Sequence, residues 1–344
     1  MGVFDNREFD NHEHVSFCCD EKSGLKAIIA IHSTAFPRKA CGGGCRFYPY
    51  PDLDAALTDV LRLSKAMTYK NAIAGLPAGG GKSVIIGDPR KDKSEALFEA
   101  FGEFVERLNG RYITAEDVGT TPQDMQIISR KTYWVTGLPG GSGDTSPATG
   151  YGIHCAMLAA AEYKLKRKIQ SVAFQGFGNV GRYTANHLVK EGVKIYVADV
   201  NEEAVKLAVD KYGATAVSLD EIYSLDVDIL APCALGGVLN DTTIPQIKAP
   251  IICGGANNQL AKSHHGKMLQ NQGILYVPDY VANAGGTIIG AAPLLEKTEE
   301  QAMQQVAEIY DNCLKVLSLA EEKGITTEEA SSIMAHEIIK KYAK

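Results

Sequence analysis

The chain has no run of Lys and Arg that could follow a nucleic-acid backbone. Its 35 basic residues are dispersed among 41 acidic ones for a net charge of -6, so neither nucleic acid nor an anionic membrane surface is an expected partner. No apolar stretch approaches the roughly 18 residues that a spanning helix needs. The opening "MGVFDNREFDNHEHV" lacks the basic, apolar and small-residue regions of a secretory leader. The eight cysteines are scattered along the sequence with no paired spacing, which speaks for reduced thiols over a disulfide framework. Together these absences give the expectation of a soluble, cytoplasmic protein.

What is present is 344 residues at 45% apolar content, enough for a sizeable core and more than one domain usually holds. Leu57, Val60, Leu61 and Met67 recur at helical spacing between Asp52 and Tyr69, predicting an amphipathic helix. "KSVIIGDP" reads as a strand, "SEALFEAFGEFVERLNG" as a helix stopped at Gly110, and "RYITAEDVGTT" as a further strand ending in a small-residue loop. The segment 136–150, "TGLPGGSGDTSPATG", holds five glycines and two prolines, the composition of a hinge. Beyond it strand and helix patterns alternate through "SVAFQ", "VKIYVAD", "VDILAPCA" and "APIICGGA", as in a doubly wound parallel sheet. Two helical segments follow from Glu299, the second opened by Thr326 and Glu329 at capping-box spacing. The expected fold is two α/β domains separated by a cleft, the second a Rossmann-type parallel sheet. The expected boundaries are 1–145 for a substrate-binding, catalytic and oligomerisation domain, 146–325 for a nucleotide domain, and 326–344 for a terminal helix packing back on the first.

In "SVAFQGFGNVGRYTANHLVKEGVKIYVADVN" the glycines Gly176, Gly178 and Gly181 follow a strand and open a helix, and Asp199 ends the next strand 18 residues past the last of them. A G-x-G-x-x-G alone is weak, but strand, helix, second strand and acid agree with a dinucleotide-binding unit. Gly176 would make the tight turn, Gly178 would admit the pyrophosphate, and Gly181 would let helix and strand close up. The loop residues Phe177, Asn179 and Val180, and Val200 beside the acid, belong to the same predicted site. A carboxylate at Asp199 accepts hydrogen bonds from a ribose and repels a 2′-phosphate, which favours NAD over NADP.

A second glycine loop, "LPAGGGKSVIIGDP", looks like a phosphate loop. A Walker A motif needs a glycine six positions before its lysine and a helix after it. For Lys82 that position is Leu76, and a strand follows. The loop is better read as a substrate bed: bare glycines beside a lysine in a tight, poorly solvated turn. Burial and a nearby cation favour the neutral amine of a lysine, and Lys70, twelve residues earlier, is the candidate neighbour. Such a lysine can serve as a general base.

These motifs, with "GGGCRFYP", "LRLSKAMTYKNA", "ITAEDVGTT", "APCALGGVLN", "GGANNQL" and "YVANAGG", resemble the glutamate/leucine/phenylalanine/valine dehydrogenase family along nearly the whole chain. The resemblance implies NAD-dependent, reversible oxidative deamination of an L-amino acid to a 2-oxo acid and ammonium by a homo-oligomer, a dimer or an octamer. It implies that Lys82 activates water, Lys70 pairs with the substrate carboxylate, Asp117 exchanges protons with the amine and Asn283 helps hold the amino group. Gly43, Gly44 and Met67 would line the substrate side. Thr149 and the chain at Cys233, Ala234 and Asn258 would lie near the nicotinamide and its ribose.

Glutamate-specific members carry a lysine where this chain has Gly42, and an unpaired γ-carboxylate is costly to bury. Gly42, Thr287 and Gly290 also depart from the aliphatic walls of leucine-type members, whereas Ala115 keeps the leucine-type residue. The smaller side chains imply a wider pocket and a bulky or aromatic substrate (phenylalanine, tryptophan or tyrosine), with leucine or valine as the alternative. A catalytically silent NAD-binding regulator is the reading from a different class, opposed by three retained ionisable groups at Lys70, Lys82 and Asp117. No metal is expected: Cys41 and Cys45 frame glycines without a second ligand pair. His264 and His265 are expected to face solvent, and Cys233 to act as a small buried apolar residue.

Overall fold

The computed structural model describes residues 2–139 and 144–342. Part of the predicted hinge, residues 140–143, lies outside them. The chain divides into two compact units, residues 1–143 with 335–344, and residues 144–334.

Among the described residues of the first unit, a five-stranded sheet is built from β1 (His14–Asp20), β2 (Leu25–Ile31), β3 (Cys41–Tyr48), β4 (Gly79–Ile86) and β5 (Tyr112–Glu116), in the order β1-β2-β4-β3-β5. Strands β1, β2 and β4 pair antiparallel, while β3 runs parallel to β4 and β5. Strand β2 is apolar at nearly every position because both of its faces are covered. Leu25, Ala27, Ile29 and Ile31 join the core under α2 (Glu95–Glu106). Ile28 and Ala30 join the core of Leu57, Val60 and Leu61 under α1 (Leu53–Ile73). The helix α3 (Pro122–Ile128) completes the α2 side. Strands β1 and β2 were not anticipated from the sequence, although "LKAIIAI" is the continuous apolar run of a strand buried on both faces.

Strand β4 begins three residues before Lys82, so the glycine run is not a loop and Lys82 does not sit in a turn. Glycine disfavours strands, but here no other residue fits. A Cβ at Gly79 would lie 1.7 Å from the Ser33 carbonyl oxygen, one at Gly80 2.0 Å from the Thr68 nitrogen in α1, and one at Gly81 2.7 Å from Cys41 Sγ. The run admits the chain's own backbone, and the picture of bare glycines as a bed for substrate does not describe these three positions.

The second unit carries a six-stranded sheet of order β11-β10-β9-β6-β7-β8, parallel in every pair: β6 (Ser171–Gln175), β7 (Lys194–Ala198), β8 (Thr215–Ala216), β9 (Ile229–Pro232), β10 (Ile251–Ile252) and β11 (Leu275–Tyr276). Strand order reverses between β6 and β9, which is where such sheets bind ligands beyond the strands' carboxyl ends. Helix α4 (Ser146–Lys164) precedes β6, so residues 146–150 are helical and not part of a hinge. Pro147 is compatible because it occupies the first turn, where no intrahelical N–H bond is lost. The remaining helices are α5 (Asn179–Lys190), α6 (Glu202–Tyr212), α7 (His264–Asn271), α8 (Asp279–Ala282), α9 (Gly285–Ala291), α10 (Glu299–Ala307), α11 (Ile309–Lys323) and α12 (Thr327–Tyr342). Three helices therefore follow Glu299 where two were expected, because Glu308 turns tighter than an α-helix, its N–H reaching back three residues to Gln305.

Helix α12 opens with the expected capping box, Glu329 accepting from Thr326 N–H at 2.8 Å and Thr326 Oγ1 accepting from Glu329 N–H at 3.2 Å. Its end belongs to the first unit, where His336 meets the Tyr69 hydroxyl at 3.2 Å and Tyr342 packs on Phe36.

Gly80→Ala is expected to destabilise the protein by about 1–3 kcal/mol through overpacking against α1. Gly42→Ala, whose added methyl meets no atom within 4 Å, is expected to stay within about 0.5 kcal/mol of the parent. Urea denaturation of both variants checks the pair: equal midpoints would refute the packing account of the glycine run.

Candidate active site

Successive strand residues alternate between faces, and Lys82, opposite Ala30 in β2, falls on the α1 side of the sheet. It is 4% exposed. Its Nζ donates to Asp117 Oδ1 at 2.7 Å, so the partner found for this lysine is a carboxylate rather than the cation of Lys70. Lys70 itself lies half-buried in the last turn of α1, with Met67 one turn before it.

Asp117 follows β5 directly and is held by a turn. Its N–H donates to Thr120 Oγ1 at 2.9 Å, Thr120 Oγ1 donates to the Cys45 carbonyl at 2.9 Å, and Val118 accepts from the Phe47 N–H. Gly119 makes the turn possible, with φ +81° and a missing Cβ that would lie 2.0 Å from the Phe47 oxygen. Gly44 does the same from β3, where a Cβ would come within 2.8 Å of Asp117 Cβ. A Cβ at Gly43 would fall 1.8 Å from the Gly81 carbonyl oxygen, so of the three glycines assigned to the substrate side only Gly42 has open space where its side chain would be. Ala115, paired with Gly44 across β3 and β5, is half-buried.

The second partner of Asp117 was not foreseen. Arg46 lies two residues past Gly44 and so on the same face of β3; its Nε donates to Asp117 Oδ2 at 2.8 Å. Its Nη1 donates at 2.9 Å to Asp59 Oδ2 on α1, which also accepts from the Tyr50 hydroxyl at 2.6 Å. Burial alone would raise the pKa of Asp117, but the adjacent Lys82 and Arg46 cations outweigh it and hold the carboxyl far below the usual carboxylate range. Asp117 is a carboxylate at any ordinary pH.

In the second unit the glycine loop has the three environments that its spacing predicts. Gly176 has φ +92° and a missing Cβ that would meet Ala234 at 2.6 Å. Gly178 faces open space. Gly181 sits against the Gly176 oxygen, where a Cβ would fall at 3.3 Å. Phe177 is buried and stacks edge-on against Phe174 and Tyr212, anchoring the loop from below. No side chain caps the amino end of α5, which starts at Asn179 and Val180, leaving backbone N–H groups for an anion. Asp199 Oδ2 accepts from the Phe177 N–H at 2.6 Å and its Oδ1 from the Asn201 N–H at 2.8 Å, tying the acid to the loop it serves. Val200 is 84% exposed.

Cys233, at the end of β9, donates its N–H to the Gln175 carbonyl and accepts from the Gly255 N–H at its Sγ, 3.4 Å away. Burial pushes its thiol up to about 11, which leaves it a poor nucleophile. Asn258 has a left-handed backbone, φ +53°, and its carbonyl accepts from Gly237. Asn283 is buried, and its Nδ2 donates to the Gly255 carbonyl and to Asn257 Oδ1. Helix α9 starts hard against α4, a Cβ at Gly286 falling 2.6 Å from Thr149 Oγ1, while a Cβ at Gly290 would meet no atom within 4 Å and Thr287 is half-buried. The assigned residues therefore form two sets: Lys82 and Asp117 with Gly44 in the first unit, and the glycine loop with Asp199, Ala234 and Cys233 in the second.

His265 is fully buried, contrary to the solvent-facing expectation. Its Nδ1 accepts from the Lys262 N–H at 3.0 Å, which leaves the proton on Nε2 to donate to Asp241 at 3.2 Å. His264 also reaches Asp241, but with no lone pair left at His265 Nε2 the three residues make a clamp on the start of α7 rather than a metal site.

The sequence of residues 11–134 matches the model of the Glu/Leu/Phe/Val dehydrogenase dimerisation domain, and residues 140–205 and 196–344 match that of the Glutamate/Leucine/Phenylalanine/Valine dehydrogenase. A leucine dehydrogenase of Geobacillus stearothermophilus is 51% identical, covering 100% of this chain and 95% of that protein. A phenylalanine dehydrogenase of Caldalkalibacillus thermarum is 43% identical over 98% and 94%. The crystal structure of L-tryptophan dehydrogenase from Nostoc punctiforme superposes with a TM-score of 0.84 at 44% identity, covering 97% of each chain. The chain belongs to the glutamate/leucine/phenylalanine/valine dehydrogenase family of amino-acid dehydrogenases.

Proposed function

We propose that the protein catalyses the reversible, NAD-dependent oxidative deamination of a branched-chain L-amino acid, leucine or valine, to the 2-oxo acid and ammonium. The observation that carries the chemistry is the Lys82–Asp117 pair, a buried lysine 2.7 Å from a carboxylate. The leucine dehydrogenase relative at 51% identity favours an aliphatic substrate over the aromatic one suggested by the sequence. A second reading, an aromatic substrate, keeps support from the open space at Gly42 and Gly290.

The glycine loop fits a dinucleotide: Gly178 leaves room for a pyrophosphate, the uncapped start of α5 offers N–H groups, and Asp199 suits an unphosphorylated ribose. Bound there, NAD would supply the hydride acceptor. The chain's own groups handle the protons. The substrate Cα–H bond breaks with its electron pair while an N–H proton leaves, and Asp117, ionised, takes up that proton from the amine. Water then adds to the carbon–nitrogen double bond, with Lys82 as the base that receives its proton; the proton held by Asp117 and that of the new hydroxyl pass to the nitrogen as the carbon–nitrogen bond breaks, ammonium departs, and the proton on Lys82 is the one released. Lys82, a cation beside Asp117 at rest, must have lost its proton before it can act as that base. Lys70 pairs with the substrate carboxylate, and Asn283 orients the amino group.

Initial rates of NADH formation are expected to rank L-leucine above L-phenylalanine and both above L-glutamate in kcat/KM; a preference for phenylalanine would move the assignment to the aromatic reading. Lys82→Ala is expected to lower kcat by roughly 100-fold or more while NADH still binds, as followed by its fluorescence; loss of NADH binding would return the glycine-lysine strand to a phosphate-binding role. Asp199→Ser should raise kcat/KM with NADP relative to NAD, and an unchanged ratio would remove Asp199 from the ribose site.

A further inference from the structure

Asp117 makes two cationic contacts, and the proposed chemistry uses only one of them. Arg46 occupies the other oxygen. Its guanidinium is bridged between two carboxylates, Nε to Asp117 Oδ2 at 2.8 Å and Nη1 to Asp59 Oδ2 at 2.9 Å. The fork comes from β3, the brace from α1, and both carboxylates have side chains no more than 17% exposed. Tyr50 fixes Asp59 from the other side. A planar guanidinium can span two such acceptors, whereas a lysine ammonium at the same place acts as a point charge.

We propose that Arg46, braced by Asp59 and Tyr50, is a positioning residue that locks the rotation of the Asp117 carboxylate, so that Oδ1 and not Oδ2 faces Lys82 and the reacting amine. This rests on the reading of Asp117 as the proton-exchanging group. The groups that face Asp117 are Lys82 from β4 and Arg46 and the Cys45 thiol from β3; behind Arg46 stand Asp59, Tyr50 and, 3.9 Å from Asp59, Arg62. With a cation on each oxygen the carboxylate is both oriented and kept ionised. Its folded-state pKa is depressed, so the pair contributes above the pKa of the unfolded carboxyl and is lost only as pH falls through the lower folded value. Removing Arg46 raises the folded value and brings that loss to higher pH.

The test compares Arg46→Gln, Arg46→Lys and Asp59→Asn in the full-length protein. Two readouts are used: kcat against pH with L-leucine and NAD, and the titration of the Asp117 carboxyl carbon by NMR of protein labelled at aspartate Cγ, assigned by its loss in Asp117→Asn. Arg46→Gln is expected to lower kcat about tenfold or more and to move the carbon titration up by about one pH unit or more, with NADH affinity within about twofold. Arg46→Lys should keep the titration near that of the parent but lose kcat. Asp59→Asn should do the same, and it carries the test if Arg46→Gln does not fold. Parent-like kcat in Asp59→Asn and Arg46→Lys, or an unmoved titration in Arg46→Gln, overturns the proposal. If the parent protein turns over no L-amino acid, the functional reading fails, and the carboxyl titration alone still decides the role of Arg46.

Discussion

The first unit depends on backbone meeting backbone where side chains would ordinarily intervene. Gly43 lets β3 close in beside the Gly81 carbonyl of β4, Gly80 lets α1 rest on the strand, and Gly79 receives the chain at Ser33. With α1 pressed this close, Thr68 Oγ1 accepts from Gly80 N–H at 3.0 Å and Asn71 donates to the Gly79 carbonyl at 2.7 Å. Lys82 lies two residues beyond Gly80, so its position is inherited from this close packing. A charged side chain held at 4% exposure is tolerable only with its partner at hydrogen-bond distance, and the Asp117 turn supplies one.

The second unit solves a different problem with the same residue type. There one glycine is needed for conformation, another for emptiness and a third for helix-to-strand contact, and the buried Phe177 beneath the loop keeps it from collapsing into the space that Gly178 leaves. The bond from Phe177 N–H to Asp199 links the end of β7 to the turn after β6. Loop and acid are therefore tied to one another.

Much of this was legible in the chain because its signals are periodic or positional. The glycine loop followed by a strand ending in Asp199, the α1 stripe and the Thr326–Glu329 box each follow from spacing. The Lys82 strand was read one step short: a run of three glycines has no strand propensity of its own, and only the neighbours at Ser33, Thr68 and Cys41 explain why it is extended. Strand β2 escaped because a strand buried on both faces loses the alternation that marks a half-exposed one, and β1, at the edge of the sheet, has no regular alternation of burial either. The Arg46–Asp59 bridge joins β3 to α1, and no local pattern announces which of several arginines will meet which aspartate. His265 was misplaced for a related reason, since its partner Asp241 lies 24 positions away.

The first unit is discontinuous, residues 1–143 being completed by 335–344, and His336 and Tyr342 meet Tyr69 and Phe36 there. Synthesis runs from the amino end, so the half that begins first is finished last. The second unit, residues 144–334, has its whole contiguous sequence available before the later turns of α12 leave the ribosome. During that interval Tyr69 and Phe36 lack the cover that His336 and Tyr342 give them.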